Sequence, residues 1–279
     1  MCAVELRMGA LVTEQVRLRF RQGAPAVLVR DITGHDEWAV RGASTRTAVE
    51  LLQRLVDWPT GDSGDAAELS APDRDTLLAA VYARAYGVCV DATAHCTACA
   101  SPYDIRFSLA ELRDVLTRNP SADKIQALPD GTFRAESGIR FRLAAARDEI
   151  EVSLLPEQEA ARALAARCLL ESRPGGDFSN DDEILAELES AMEDVAPVLD
   201  LDINTTCPEC RCPQTIRFDV QFYLLQALEQ DRTRLARDIH YIASAYGWSL
   251  QEVLSLERTE RRKFVQFIEE DIAGRRRSQ

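Results

Sequence analysis

Histidine is scarce in this chain, with three residues in 279, and no two stand together as a ligand or general-base pair. No Ser/His/Asp set with supporting context and no Gly-rich phosphate loop occurs, so hydrolytic triads and nucleotide cradles lose their sequence support. The chain reads as a non-enzyme without a small-molecule substrate. No apolar run approaches the roughly 20 residues of a membrane span, and Met1 to Val16 lacks the long apolar core of a secretory leader. Basic residues are outnumbered, 33 Lys and Arg against 46 Asp and Glu. A net charge of −13 argues against a protein wrapped in nucleic acid, because neutralising phosphates needs a basic surface. Aromatics make up only 6%, so any concentration of them carries information. The expectation is a cytoplasmic protein with no membrane partner. In that compartment thiols stay reduced, and the eight cysteines are read as free or metal-bound, with Cys2, Cys89 and Cys168 as ordinary thiols.

Two short stretches organise what is present. Cys96-Thr97-Ala98-Cys99 and Cys207-Pro208-Glu209-Cys210 are each followed, after five residues, by Ile-Arg-Phe: Ile105-Arg106-Phe107 and Ile216-Arg217-Phe218. Both matches sit 111 positions apart. Upstream, Val88, Val90 and Ala92 correspond to Leu199, Leu201 and Ile203, while Leu77 and Val81 correspond to Leu188 and Met192. A self-match at fixed offset indicates an internal duplication. The expected fold is α+β: duplicated helix–β-hairpin units of zinc-knuckle type packed as one body, with a C-terminal all-α appendage. The expected limits are 1–120, 121–220 and 221–279.

Along the chain, Val16, Leu18 and Phe20 alternate with arginines as in a half-buried strand, and Ala26 to Arg30 can pair with it. Glu37 to Val40 reads as a further short strand. Ser44 caps a helix carrying Leu51, Leu52 and Leu55, and Ser70 and Pro72 open another that Gly87 stops. Ser108 and Glu111 form a capping box. The second half contains the alternation Ile139, Phe141, Leu143, a helix from about Pro156 to Leu170 and a linker at Arg173-Pro174-Gly175-Gly176. From Asp181 to Asp202 there are nine acidic and no basic residues, the composition of a solvated helix face or of a surface that docks a basic partner. Asp219 is expected to cap one long helix running through Ile242 to Gly247. Ser249 and Glu252 cap a short helix, and a last one carries Phe264, Phe267 and Ile272.

A tight turn bearing C-x-x-C offers two thiolates, and two such turns supply the four soft ligands that a tetrahedral zinc ion takes. The expected cofactor is one structural zinc bound by Cys96, Cys99, Cys207 and Cys210. Closing a loop of this length costs about 4 kcal/mol of chain entropy, against roughly 10–16 kcal/mol from a structural zinc. The competing reading makes the cysteines small buried hydrophobes. Zinc knuckles usually place glycine after the second cysteine, where φ is positive; here Ala100 and Arg211 stand there. Cys212 is an extra thiol and His95 an alternative ligand. A thioredoxin-like role needs a thiolate at a helix N-terminus, and strand residues follow both motifs instead.

The segment after the second hairpin concentrates the aromatics: Trp248-Ser249-x-x-Glu252-Val253-x-x-Leu256, then Glu260-Arg261-Arg262-x-Phe264-x-x-Phe267-Ile268. With the two knuckles and their Phe107-Ser108-Leu109 and Phe218-Asp219 exits, this stretch resembles the T-even-phage-type baseplate hub/assembly-chaperone family of contractile tails and contractile injection systems. The resemblance implies a structural or assembly protein, built into a baseplate or escorting its parts, with other baseplate or tail proteins as partners. It also implies a cytoplasmic protein that can enter an assembled injection particle. Trp248, Leu256, Arg261, Phe264 and Phe267 are the expected partner-binding residues, on a terminal helical pair that could equally be stapled together by its aromatics. The other class in play is a zinc-ribbon nucleic-acid-binding protein or transcription adaptor, supported by the knuckles and by Arg261-Arg262-Lys263 and Arg275 to Arg277.

Overall fold

The computed structural model describes residues 14–21, 26–59, 64–117, 125–172 and 182–277. Strand β1 (Glu14–Arg17) pairs antiparallel with β2 (Ala26–Val29), which feeds the short helix α1 (Gly34–Ala39). Helix α2 (Thr45–Leu55) returns the chain to β3 (Val56–Asp57), completing a three-stranded sheet of order β1-β2-β3. Ser44 caps α2 by accepting the Thr47 N–H, and the helix buries Ala48, Leu51, Leu52 and Leu55. Pro72 lies in the first turn of the long α3 (Ala71–Tyr86), and Gly87 ends it at φ 102°. The hairpin β4 (Cys89–His95) and β5 (Pro102–Ser108) follows, then α4 (Leu109–Thr117).

The second half opens on β6 (Ile125–Ala127), β7 (Phe133–Ala135) and β8 (Arg140–Phe141). After α5 (Ala146–Val152) and α6 (Glu157–Cys168), strand β9 (Leu169–Glu171) completes a four-stranded sheet of order β6-β7-β8-β9. Helix α7 (Asp182–Val195) leads into the hairpin β10 (Asp200–Thr206) and β11 (Pro213–Asp219). The chain ends in helices α8 (Val220–Gln230), α9 (Arg232–Tyr246), α10 (Leu250–Ser255) and α11 (Arg258–Arg277). The architecture is α+β, with small antiparallel sheets and a helical C-terminus.

Three local expectations change. Glu37 to Ala39 is helix, not strand, with Val40 as its extended C-cap. The Asp36 carboxylate accepts the Thr33 N–H at 2.9 Å and pairs with Arg30 at 2.7 Å, which fixes the first turn of α1. Four residues are too few for alternation to outvote a cap of that kind. Helix α5 went unread for the same reason: Asp148 accepts the Ala145 N–H at 2.9 Å and pairs with Arg142 at 2.6 Å, reproducing the Arg30–Asp36 device. The long helix after Asp219 is two helices jointed at Asp231. That carboxylate is drawn inward, accepting from the Tyr86 hydroxyl at 3.1 Å and pairing with Arg258. The linker at 173–176 lies outside the described residues.

The main core gathers the sheet β1-β2-β3, α2 and α3. It also takes in Leu199 and Phe218 of the second hairpin region and Val220, Leu224, Leu225 and Leu228 of α8. A second core holds Phe133, Ile139 and Phe141 against Ile184, Leu188, Ala191 and Val195 of α7. Thus α7, acidic on its outer side, is amphipathic. The segment after β1 reaches the second core, since Phe20 stands edge-on to Phe133 with ring centres 6.2 Å apart. Backbone amides are fastened across the same seam. Asp73 accepts the N–H groups of Arg19, Phe20 and Arg21 at 2.7, 3.0 and 3.0 Å, and Asp75 accepts that of Leu199 at 2.8 Å.

Candidate metal centre

Both hairpins form for the same reason: alternating apolar residues, Val90, Ala92 and Ala94 in one and Leu201 and Ile203 in the other, face a shared interior. Their geometry coincides. Cys89 pairs with Ser108 and His95 with Pro102; Asp200 pairs with Asp219 and Thr206 with Pro213, each 111 positions later. Phe107 and Phe218, at equivalent positions, meet edge to face with ring centres 4.9 Å apart.

The turns are equally matched. The Cys96 N–H donates to the Ser101 carbonyl at 3.0 Å and the Ala100 N–H to the Cys96 carbonyl at 2.9 Å. In the second turn the Cys207 N–H donates to the Cys212 carbonyl at 3.0 Å and the Arg211 N–H to the Cys207 carbonyl at 2.9 Å. Ala100 and Arg211 have φ of 58° and 59°, the only described non-glycine residues with positive φ. The absence of glycine therefore does not prevent either turn from reaching positive φ. It leaves each turn strained by about 1–2 kcal/mol, the cost of a Cβ in the left-handed region. Among the described non-glycine residues positive φ occurs at these two turns alone, which points to a backbone held for a purpose.

The four sulfurs come together. Cys96 Sγ lies 3.5 Å from Cys210 Sγ and Cys99 Sγ 3.8 Å from Cys207 Sγ, and all four fall within 4.8 Å of one another. These separations exceed the roughly 2.05 Å of a disulfide, and all four thiols are free. Each hairpin contributes one buried thiol, Cys96 or Cys207, and one exposed, Cys99 or Cys210. The Ala98 N–H points at Cys96 Sγ from 3.4 Å, as amides do toward a metal thiolate. Hydrogen bonds from the Ser101 side chain and backbone bring the Cys99 thiol down to about 6. At Cys210 the Cys212 backbone lowers the value, but the Cys96 sulfur, burial and the other two sulfurs prevail and push it up to about 12.

One side chain bridges the knuckles directly. Gln214 Oε1 accepts from the Thr97 N–H at 2.9 Å and the Thr97 hydroxyl at 3.0 Å. Tyr103, Ile105, Ile216 and Cys212 pack around the sulfurs. His95, at the exposed end of β4, is not part of the gathered set. Cys212 remains a free thiol beside it. Cys168 is buried and free, and burial pushes its thiol up to about 11. Cys89, read as an ordinary thiol, is instead disulfide-bonded.

The residues expected to bind partners have diverse settings. Trp248 and Phe264 are half-buried against each other, ring centres 5.0 Å apart, with Tyr246 alongside. Leu256 is half-buried, its carbonyl accepting the Gly34 N–H at 3.2 Å. Phe267 is exposed. Arg261 is a correction: it is 1% exposed and pairs with Glu37 at 2.8 Å, with Asp238 at 3.5 Å. Arg258 joins the same Glu37 at 3.2 Å. Gly34 permits this approach, since a Cβ there would stand 2.9 Å from the Leu254 backbone. Sequence reading missed this buried cluster because Glu37 and Arg261 lie 224 positions apart and share no motif.

No helix among the described residues is long and apolar enough to cross a membrane. No family model, curated protein or solved structure matches this chain.

Proposed function

We propose that this is a non-enzymatic structural or assembly protein whose two halves, copies of one ancestral unit, are stapled by a single structural zinc. The observation that carries the reading is the convergence of four thiol sulfurs from two hairpins of identical register. A tetrahedral zinc with Zn–S bonds of about 2.3 Å sets its sulfurs about 3.8 Å apart, and the observed close pairs are at 3.5 and 3.8 Å. Four thiolates select a soft ion over magnesium or calcium. Four protein ligands also close the coordination sphere, leaving no open position for a substrate, which is the pattern of a structural site. When bound, the zinc neutralises thiolate charge and ties residues 1–120 to 121–220, with 221–279 as the helical segment packed on them.

The resemblance of the Trp248 to Ile268 stretch supports a place in the baseplate of a phage-tail-like contractile injection system, as a fixed part or as an assembly chaperone. The protein would be cytoplasmic until it is incorporated. The nucleic-acid reading gains nothing, because Arg261, a member of its basic cluster, is turned inward to Glu37. Elemental analysis of protein purified without added metal should give about one zinc per chain, lost in Cys207→Ser. Pull-down from the native host, read by mass spectrometry, should recover baseplate or tail proteins. A folded, metal-free preparation refutes the staple; recovery of salt-sensitive nucleic acid in place of tail proteins refutes the assignment.

A further inference from the structure

The two knuckles match in backbone and thiols but differ in one side chain. Gln214 and Tyr103 occupy the same place in their hairpins, each second in its returning strand. Gln214 is 6% exposed and spends its carbonyl oxygen on Thr97, the residue after the first cysteine of the opposite knuckle. The equivalent of Thr97 in the second knuckle is Pro208, which has no N–H to offer. Tyr103 is accordingly left without that partner. It is 7% exposed, packed with Cys96 and Cys207, and its hydroxyl has no hydrogen-bond partner. A buried, unsatisfied hydroxyl costs about 1–3 kcal/mol, so its retention beside the thiols calls for a compensating bond.

Resting on the zinc reading above, we propose that Tyr103 is a positioning residue of the metal centre, its hydroxyl donating a hydrogen bond to a metal-bound thiolate of the Cys96/Cys207 pair. A phenol is both donor and acceptor, but an ionised thiolate can only accept, so the ion itself creates the partner that the hydroxyl lacks. The first hairpin thus supports the thiolate pair through Tyr103, and the second supports the first through the Gln214 clasp on Thr97. Partners around a metal's ligands are commonly worth ten- to a hundred-fold in affinity.

The experiment is Tyr103→Phe in the full chain, which keeps the ring and removes only the oxygen. Zinc affinity, measured by competition with a chromophoric chelator, should fall about ten-fold. In the cobalt-substituted protein the thiolate-to-metal charge-transfer band should move to lower energy, because a sulfur that loses a hydrogen bond becomes a better electron donor. A packing role would not move that band. Gln214→Ala serves as the contrast: it should weaken binding by loosening the Thr97 clasp while leaving the band in place. Unchanged affinity and an unchanged band in Tyr103→Phe, with wild-type protein fully loaded, would overturn this inference alone. Wild-type protein that takes up no ion would overturn it together with the zinc staple.

Discussion

Asp75→Asn should make the protein more stable at neutral and alkaline pH and flatten its pH dependence. Asp75 sits in the first turns of α3, 5% exposed, with Oδ2 accepting the Leu199 N–H at 2.8 Å. The nearest cation, Arg74, is 4.0 Å away and is held more closely by Glu149 at 2.7 Å. Burial, opposed by Arg74 and the Leu199 amide, raises the carboxyl from 3.8 to about 7. Between those values the native state keeps a proton that the unfolded chain has released. Stability from this group is therefore complete below about pH 4 and is lost as pH rises through about 7. A shift of about three units corresponds to roughly 4 kcal/mol. Asparagine is neutral throughout and keeps an acceptor for Leu199, but its amide adds a buried donor that costs about 1–3 kcal/mol. The net expectation at pH 8 is a gain of about 2 kcal/mol, vanishing or reversing at pH 5, where the wild-type carboxyl is already protonated. Urea unfolding of both proteins at pH 5, 6, 7 and 8, with zinc saturating, isolates the term as the difference between the two curves. A difference that stays flat across this range would refute the assignment of a buried, destabilising charge to Asp75.

Ala100→Gly and Arg211→Gly relieve positive φ without touching a sulfur, so each should stabilise the protein by about 1 kcal/mol in thermal unfolding; destabilisation would mean the turns are not held as described. Glu37→Ala leaves Arg258 to Asp231 and Arg261 to Asp238 alone, and should cost about 3 kcal/mol in chemical denaturation, the low end for breaking a buried pair. Ending the chain after Gly247 removes both arginines and leaves Glu37 unpaired. The truncated body should unfold more readily, and undiminished stability would show that the C-terminal helices are dispensable to the core. On the surface, Phe267→Ala should stay within about 0.5 kcal/mol of wild type while weakening co-purification with the proposed tail-protein partners. Trp248→Ala should instead lower stability, and equal effects of the two on association would remove Phe267 as an anchor.

The repeated C-x-x-C-x5-Ile-Arg-Phe was enough to locate both hairpins, their common offset and the candidate ligands, because turn and strand are local and their spacing is printed in the chain. The caps at Ser44, Asp219 and Ser249 were legible for the same reason: each is satisfied within three residues. Helices α1 and α5, of 6 and 7 residues, escaped because they are too short to show a hydrophobic period, and their caps are completed by ion pairs with Arg30 and Arg142. Spacing alone left open whether the two knuckles would meet, and the tertiary structure decided it by setting Phe107 on Phe218 and four sulfurs around one point. It likewise turned Arg261 from a candidate surface contact into a buried partner of Glu37. Charge is visible in a sequence, but whether a charge meets water or an opposite charge depends on residues far along the chain, which only folding brings together.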